Sequence, residues 1–145
     1  MRKLVLAISI LALAGASAFA DPLADRQALM KERGKLTGEL AKVVKGEQPF
    51  DAAAVLKTLQ GMQANAGRFD ADVLFPEGSN TGDTEASPKV WEDKPGFEAA
   101  EGKFEAAVNA AVTDAPADLD ALKAKFGAIG SSCGACHETF RIKKG

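Results

Sequence analysis

The feature that most constrains the fold is a helical spacing of apolar residues, which recurs in four separate segments. The first segment extends from Asp21 to Gly46, the second begins at Asp51, the third follows Pro95, and the fourth runs from about Asp118 to the end of the chain. In each segment apolar residues recur in steps of three and four, the period of one helix face. No stretch alternates as a half-buried strand does. The pattern predicts an all-α protein, an up-down-up-down four-helix bundle.

A long loop separates the second and third predicted helices, from about residue 70 to 94. It contains LFPEGSNTGDTEASP, which is rich in turn-forming residues. Ser87-Pro88 then predicts the start of one short helical turn. Loops of this length inside a compact domain often have a function of their own or cover a ligand. We therefore expect this segment to lie near a site.

The first twenty residues have the features of a secretory signal. Two basic residues are followed by an apolar run, and Ala18-Phe19-Ala20 is a small-x-small cleavage motif. The uninterrupted apolar run is shorter than the ~20 residues that span a bilayer. We expect cleavage after Ala20, export to the periplasm, and a single mature domain, residues 21–145, without stable membrane insertion.

The mature domain is expected to be acidic. The sequence has 18 Lys and Arg and 20 Asp and Glu, and the predicted signal contains two of the basic residues and none of the acidic ones. The mature domain therefore has 16 basic and 20 acidic residues, a formal charge of −4. This balance argues against a general nucleic-acid binder.

Both cysteines and the one histidine of the sequence lie within five positions, at Cys133, Cys136 and His137. The apolar stripe of the fourth helix reaches Ile129, and further steps of four and three lead to Cys133 and Cys136. His137 is four residues after Cys133 and so lies one turn beyond it on the same face. This face points into the bundle, which is where helical bundles hold cofactors.

Several chemistries use such a cluster. A structural disulfide suits an exported protein, but an i,i+3 pair within a regular helix fits disulfide geometry poorly. A redox-active Cys-x-x-Cys pair normally occurs in a βαβ context, and a closed zinc site would lack its fourth ligand. Cys-x-x-Cys-His is also the attachment motif of haem c, in which the imidazole binds iron. We favour haem, because attachment explains both the shared face and the export signal.

These features together resemble the class II cytochromes c, the family of cytochrome c prime and its Met-ligated low-spin relatives. The resemblance spans essentially the whole mature chain. It includes RQALMK at 26–31, VVKGEQPFD at 43–51, LFPEGS at 74–79, PKVW at 88–91 and CHETFR at 136–141. Gly134 departs from the lysine that many members carry there. The resemblance implies one covalent haem c, with thioether bonds to Cys133 and Cys136 and with His137 as the proximal iron ligand.

The resemblance also implies roles for residues outside the attachment motif. Arg26 and Gln27 match first-helix residues near the haem propionates, where a guanidinium pairs with a carboxylate. Arg141 matches an arginine that family members place beside the proximal imidazole. Phe140 and Trp91 are expected to pack in the core or against haem.

Met30 is the expected distal iron ligand. The mature chain has two methionines, Met30 and Met62, and no second histidine. Met30 and His137 each lie eight residues from the ends of antiparallel neighbouring helices, about 12 Å along each at 1.5 Å per residue, and so reach the same height. Met62 belongs to the apolar stripe of the second helix and is expected in the core. The resemblance to Met-ligated members agrees with this assignment.

Two functions compete for a protein of this kind. The first is a periplasmic electron carrier that exchanges single electrons with donor and acceptor redox proteins. The alternative is a five-coordinate, high-spin cytochrome c prime that binds nitric oxide or carbon monoxide at a vacant distal site. A dithiol oxidoreductase without haem is the third. The sequence shows no catalytic constellation, so we do not expect an enzyme, and we expect a monomer or a homodimer.

Overall fold

The structure is a computed structural model that describes residues 21–142. The predicted signal segment, residues 1–20 with its cleavage after Ala20, lies outside the described residues, as do residues 143–145. The helices are α1 (Pro22–Val44), α2 (Ala52–Ala66), α3 (Ala71–Leu74), α4 (Lys89–Glu92), α5 (Lys94–Thr113) and α6 (Leu119–Phe140). No helix in this part of the chain is long and apolar enough to cross a membrane.

Aspartate side chains fix where the four long helices begin. The carboxylates of Asp21, Asp51, Asp93 and Asp118 each accept a hydrogen bond from a backbone N–H in the first turn that follows. Such caps satisfy donors that the helix itself leaves without a partner. After the C-cap of α1, Gly46 has φ 77, a backbone conformation that glycine adopts without strain. The predicted boundaries at both ends of the first helix are therefore accurate to within two residues.

The four long helices form a ring in which each one packs against two others. α1 contacts α2 and α6, and α5 also contacts α2 and α6. The short α1–α2 and α5–α6 connections make those pairs antiparallel neighbours, and α6 returns beside α1. The predicted all-α, four-helix bundle is confirmed.

The bundle interior divides into two clusters. We call the end at which α1 joins α2 and α5 joins α6 the closed end, and the opposite end, at which the long loop lies, the loop end. The closed end contains a largely aliphatic core, made of Leu40, Val43, Val55, Leu59, Met62, Ala66, Phe104, Val108, Ala111, Leu122 and Ile129. The loop end contains an aromatic cluster, made of Leu29, Ala71, Leu74, Phe75, Val90, Phe97 and Phe140. Its rings pack edge to face, for example Phe75 on Phe97 with centroids 4.8 Å apart.

The connection between α2 and α5 folds over the loop end. It contains α4, whose N-cap is Pro88, so the short turn predicted at Ser87-Pro88 is confirmed. The backbone N–H of Ser87 donates to the carbonyl of Phe140 at 3.0 Å, and that of Ile142 donates to the carbonyl of Glu85 at 2.8 Å. These bonds attach the loop to the end of α6.

Two predicted helix boundaries are wrong. The second helix ends at Ala66 rather than extending to Phe69. The fourth ends at Phe140 rather than continuing to the end of the chain, and Arg141 has extended backbone angles. The bonds from the long loop to residues 140–142 replace helical hydrogen bonds there. The α2–α5 loop therefore determines where α6 stops.

Candidate haem site

A cavity of about 630 Å³ lies between α1, α5, α6 and the long loop. Its volume falls within the range of about 300–1,000 Å³ typical of small-molecule and cofactor sites. The cavity brings together all six residues predicted for the site, which are Arg26, Met30, Cys133, Cys136, His137 and Arg141. Residues that are far apart in the sequence therefore line one cavity in the folded protein.

The attachment motif lies on the last two turns of α6. Cys133 and Cys136 are free thiols and half-buried, and His137 is more exposed at the edge of the cavity. Cys133 packs against the aliphatic core and Cys136 against the aromatic cluster. The two thiols therefore lie at the boundary between the two interior clusters.

The electrostatics of the motif do not suit a reactive dithiol. Burial raises the pKa of the Cys136 thiol to about 11, with Glu101 adding to the rise and Arg33 opposing it. Burial also raises the pKa of Cys133, where Arg33 again opposes. Reactive Cys-x-x-Cys pairs have lowered thiol pKa values. These thiols are thus placed as buried attachment points rather than as nucleophiles.

The surroundings of His137 favour the neutral form of its imidazole. Burial lowers its pKa, and the nearby positive charges of Arg141 and Arg33 lower it further. Neutral imidazole is the form that binds a metal. Within residues 21–142 no group of three or more His, Cys, Asp and Glu side chains is placed to hold a metal ion on its own.

The two methionines of the described chain have different surroundings. Met30 lies on α1, is half-buried and lines the cavity. Met62 is 0% exposed in the aliphatic core, as predicted. Of the two, only Met30 is in the wall that faces the site of His137.

Arg26 is buried and bonded to the long loop. Its guanidinium donates to the carbonyls of Leu74 and Ser79 at 3.2 and 2.8 Å and to the hydroxyls of Ser79 and Thr84 at 3.1 and 3.0 Å. It also lies 5.0 Å from the ring centroid of Phe75. The role toward a haem propionate stays a prediction. The structure adds a function that the sequence did not indicate, which is to fix the loop over the cavity.

Gln27 and Arg141 also contact the loop. The side-chain amide of Gln27, which is exposed, donates to the carbonyl of Asp83 at 2.9 Å. Arg141 Nε donates to Glu85 Oε2 at 2.6 Å. Arg141 lines the same cavity as His137, which lies four residues before it in the chain, and its role toward a bound haem stays a prediction.

Sequence reasoning missed a buried polar group behind the cavity. Arg33 and Glu101 are each 7% exposed and line the cavity, and Asn65 beside them is 0% exposed. A signal was present in the spacing, because Arg33 occupies the stripe position between Leu29 and Leu36. Charged residues are almost never fully buried unless paired, so a charge on an inner stripe predicts a partner.

The residues that line this cavity fit the haem c that the sequence predicts. Two free thiols and the adjacent imidazole lie on one helix, and a thioether lies on the neighbouring helix α1. Apolar ring surfaces form much of the remaining wall, contributed by Phe69, Phe75, Phe97, Phe104 and Phe140. Such a wall suits a flat apolar macrocycle, with Arg26 and Arg141 available for its carboxylates.

Comparison with known proteins agrees with this site. A family model described as Cytochrome C' matches residues 21–141. Cytochrome c-556 of Agrobacterium fabrum is 37% identical over 90% of this chain and 88% of its own. The structure of cytochrome c prime from Rhodopseudomonas palustris is 39% identical, with a TM-score of 0.80 over 87% of this chain and 99% of that one.

A third match is a mutant cytochrome c prime from Alcaligenes xylosoxidans, solved as a nitric oxide complex. It is 31% identical, with a TM-score of 0.75 over 85% of this chain and 95% of that chain. The family match covers nearly all the described residues, and its members hold covalent haem c through a Cys-x-x-Cys-His motif such as the one at Cys133, Cys136 and His137. The chain therefore belongs to the cytochrome c prime family.

Proposed function

We propose that this protein is a periplasmic electron carrier in which Met30 fills the sixth coordination position of the haem iron. The observation that carries the proposal is the placement of Met30 on the α1 wall of the cavity that His137 lines from α6. When bound, haem c supplies an iron that alternates between ferric and ferrous states by one electron. A thioether ligand raises the reduction potential and fills the position that a gas would occupy.

The chain's own residues serve this function by holding the cofactor and the loop above it in place. Cys133 and Cys136 anchor the cofactor to a helix packed on both interior clusters. The hydrogen bonds of Arg26 hold the long loop across the cavity. A rigid, apolar surrounding reduces the rearrangement that accompanies electron transfer and tunes the potential through burial.

The proposed compartment and partners follow from the leader-like first twenty residues. Attachment of haem c and export belong together, so we place the mature protein in the periplasm. Its partners would be redox proteins that give and accept single electrons. Electron exchange of this kind needs no acid–base or nucleophilic residue, and we assign the chain no enzymatic reaction.

A second candidate function is binding of nitric oxide or carbon monoxide at an open sixth position. The relative from Alcaligenes xylosoxidans was solved as a nitric oxide complex.

Replacement of Met30 by leucine separates the two functions. Met30→Leu keeps an apolar side chain of similar size and removes the sulfur. We expect the six-coordinate, low-spin spectrum of the wild type to become five-coordinate and high-spin, with fast binding of carbon monoxide. Met62→Leu is the matched control and should leave the spectrum unchanged, because Met62 is in the aliphatic core. A wild-type spectrum that is already high-spin would favour gas binding.

A further inference from the structure

A buried ion pair crosses the bundle behind the cavity. The guanidinium of Arg33 on α1 donates to both carboxylate oxygens of Glu101 on α5, at 2.8 and 2.7 Å. Its Nε donates to Asn65 Oδ1 at 2.9 Å, and the Asn65 amide donates to the carbonyl of Leu29 at 3.0 Å. The guanidinium also lies 4.0 Å from the ring centroid of Phe104. Both the position and the orientation of the two charges are therefore fixed.

Stability alone is a weak explanation for this pair. Removing two charges from water is costly, and well-packed apolar residues in place of a buried ion pair often leave stability unchanged or increase it. Apart from Asn65, the surrounding interior is apolar, and leucine or methionine at the positions of Arg33 and Glu101 would continue the aliphatic core. A role toward the cavity is the better explanation.

The pair is close to both attachment points. Arg33, Glu101 and Phe104 line the same cavity as Cys133 and Cys136. Arg33 and Glu101 are each 7% exposed, and buried charges are screened much less than exposed ones. The field of the pair therefore acts on the cavity where the cofactor is bonded.

The other charged side chains that line the cavity are more exposed or are bonded to the long loop. Lys31, Asp83 and Arg141 are exposed, and the half-buried Glu85 pairs with Arg141. Water and salt screen exposed charges strongly. Arg26 is buried, but its hydrogen bonds attach it to the long loop rather than to this pair. Arg33 and Glu101 are thus the pair of opposite charges buried at the cavity, and replacing either one changes the net charge there.

We propose that the Arg33–Glu101 ion pair sets the reduction potential of the haem iron by placing one fixed positive and one fixed negative charge beside it. In reduction the ferric iron gains one electron from its donor and becomes ferrous, and no bond forms or breaks. The site becomes more negative by one charge, which Arg33 favours and Glu101 opposes. The inference rests on the haem of this family and holds for either candidate function, whether the sixth position is filled or open.

The test is potentiometric titration of the holoprotein with Glu101→Gln. Arginine keeps its charge in a protein interior, so this variant leaves Arg33 uncompensated. We expect the ferrous-to-ferric ratio at a fixed applied potential to rise about tenfold, the order expected for one charge at an effective dielectric constant of ~20. For a one-electron couple that ratio corresponds to ~59 mV. Glu32→Gln is the matched control, because Glu32 also contacts Asn65 but is exposed. The reduction potential of this variant should equal that of the wild type.

Two further variants separate charge from packing. Arg33→Gln/Glu101→Gln removes both charges and should return the potential close to the wild-type value. Arg33→Gln alone leaves Glu101 uncompensated and should lower the potential. An unchanged potential in Glu101→Gln, an equal shift in the double variant, or a rise in Arg33→Gln would overturn the proposal. The visible spectrum of each variant reports the sixth ligand separately, so a wrong assignment of Met30 is distinguishable from a wrong assignment of the pair.

Discussion

The closed end and the loop end of the bundle use similar residues for different purposes. At the closed end, Leu59, Met62, Val108, Leu122 and Ile129 are all 0% exposed, and the interior is filled by aliphatic side chains. The loop end is lined by aromatic rings, contains the cavity and is covered by the long loop. A methionine is a core residue at one end and a candidate iron ligand at the other. The surroundings of a methionine, rather than the residue type, determine which of these two roles it has.

The two ends also differ in where they place charge. At the closed end Lys125 pairs with Asp114 at 2.7 Å, and the Asp114 side chain is 88% exposed. Between the ends, Arg33 and Glu101 pair in the interior. Exposed ion pairs contribute little to stability because water screens them, whereas buried charges interact strongly with other charges nearby because the effective dielectric constant is low. The comparison indicates that the cavity, rather than stability, accounts for the buried pair.

The largest expected effect is the loss of haem from the loop end. Cys133→Ser or Cys136→Ser removes one thioether bond, and we expect little holoprotein. Without haem, the part of α1 that lines the cavity loses its packing against the cofactor, whereas α2 keeps its packing in the aliphatic core. Amide exchange should therefore be faster in the first half of α1 than in α2. Mass spectrometry and the Soret absorbance measure the bound haem, and hydrogen exchange measures the difference between the two ends.

Ser132→Ala is the matched control for the cysteine variants. Ser132 also lines the cavity, but its hydroxyl donates to the carbonyl of Ile129 at 2.7 Å within α6. Its replacement should leave haem attachment intact. Equal helicity and equal melting temperature with and without haem would contradict the picture of a loop end built around the cofactor.

A cavity in the aliphatic core should lower stability without affecting the iron. Met62→Ala removes a fully buried side chain, and such a change costs about 2–5 kcal/mol of unfolding free energy. Chemical denaturation of the holoprotein measures that cost. The spin state should stay that of the wild type. A change in coordination would show that the two ends are coupled more tightly than their separate packing indicates.

Loss of the loop anchor should have a smaller effect. Arg26→Gln leaves buried acceptors of the loop without their donor, and an unsatisfied buried polar group costs about 1–3 kcal/mol. We expect faster amide exchange in residues 79–86 and a lower melting temperature. Gln27→Ala is the control, because Gln27 is exposed and makes one bond to the same loop. Equal exchange rates in the two variants would refute the anchoring role of Arg26.

The smallest expected effect is the pH response of the surface pair at the closed end. The hydrogen bond and the charge of Lys125 lower the pKa of Asp114 from its ordinary 3.8. A carboxyl with a lowered folded pKa adds stability above its unfolded pKa, and that stability is lost as the pH falls through the folded value. NMR titration should find the pKa of Asp114 below 3.8 in the wild type and near it in Lys125→Met. A folded pKa at the ordinary value in both proteins would count against the pair.

The sequence was sufficient for the elements that depend on local pattern. Stripe spacing located the four long helices, three of them beginning after Asp21, Asp51 and Asp118 as expected, and Ser87-Pro88 located α4. The same spacing placed Cys133 and Cys136 on the face of α6 that lines the cavity. These features are local, because a helix face and a cap depend on residues within one or two turns.

Features that depend on distant contacts were not predictable in the same way. α6 ends at Phe140 because the loop pairs with residues 140–142, and the position of that loop depends on Arg26. In the third segment the spacing of three and four runs through Phe97, Ala100, Phe104, Ala107 and Ala111. The structure buries the two phenylalanines and Ala111 as expected, but it buries Glu101 and Val108 in place of Ala100 and Ala107. Alanine is small enough for either side of a helix, so its spacing alone does not fix the buried face.

The visible and electron paramagnetic resonance spectra of the ferric wild-type holoprotein test the central claim most directly. If Met30 on α1 and His137 on α6 bind the iron from opposite sides, the spectra are six-coordinate and low-spin, and carbon monoxide binds the ferrous form slowly. A high-spin, five-coordinate spectrum in the wild type would contradict the claim, leave Met30 as a wall residue, and assign the cavity to binding of small gases.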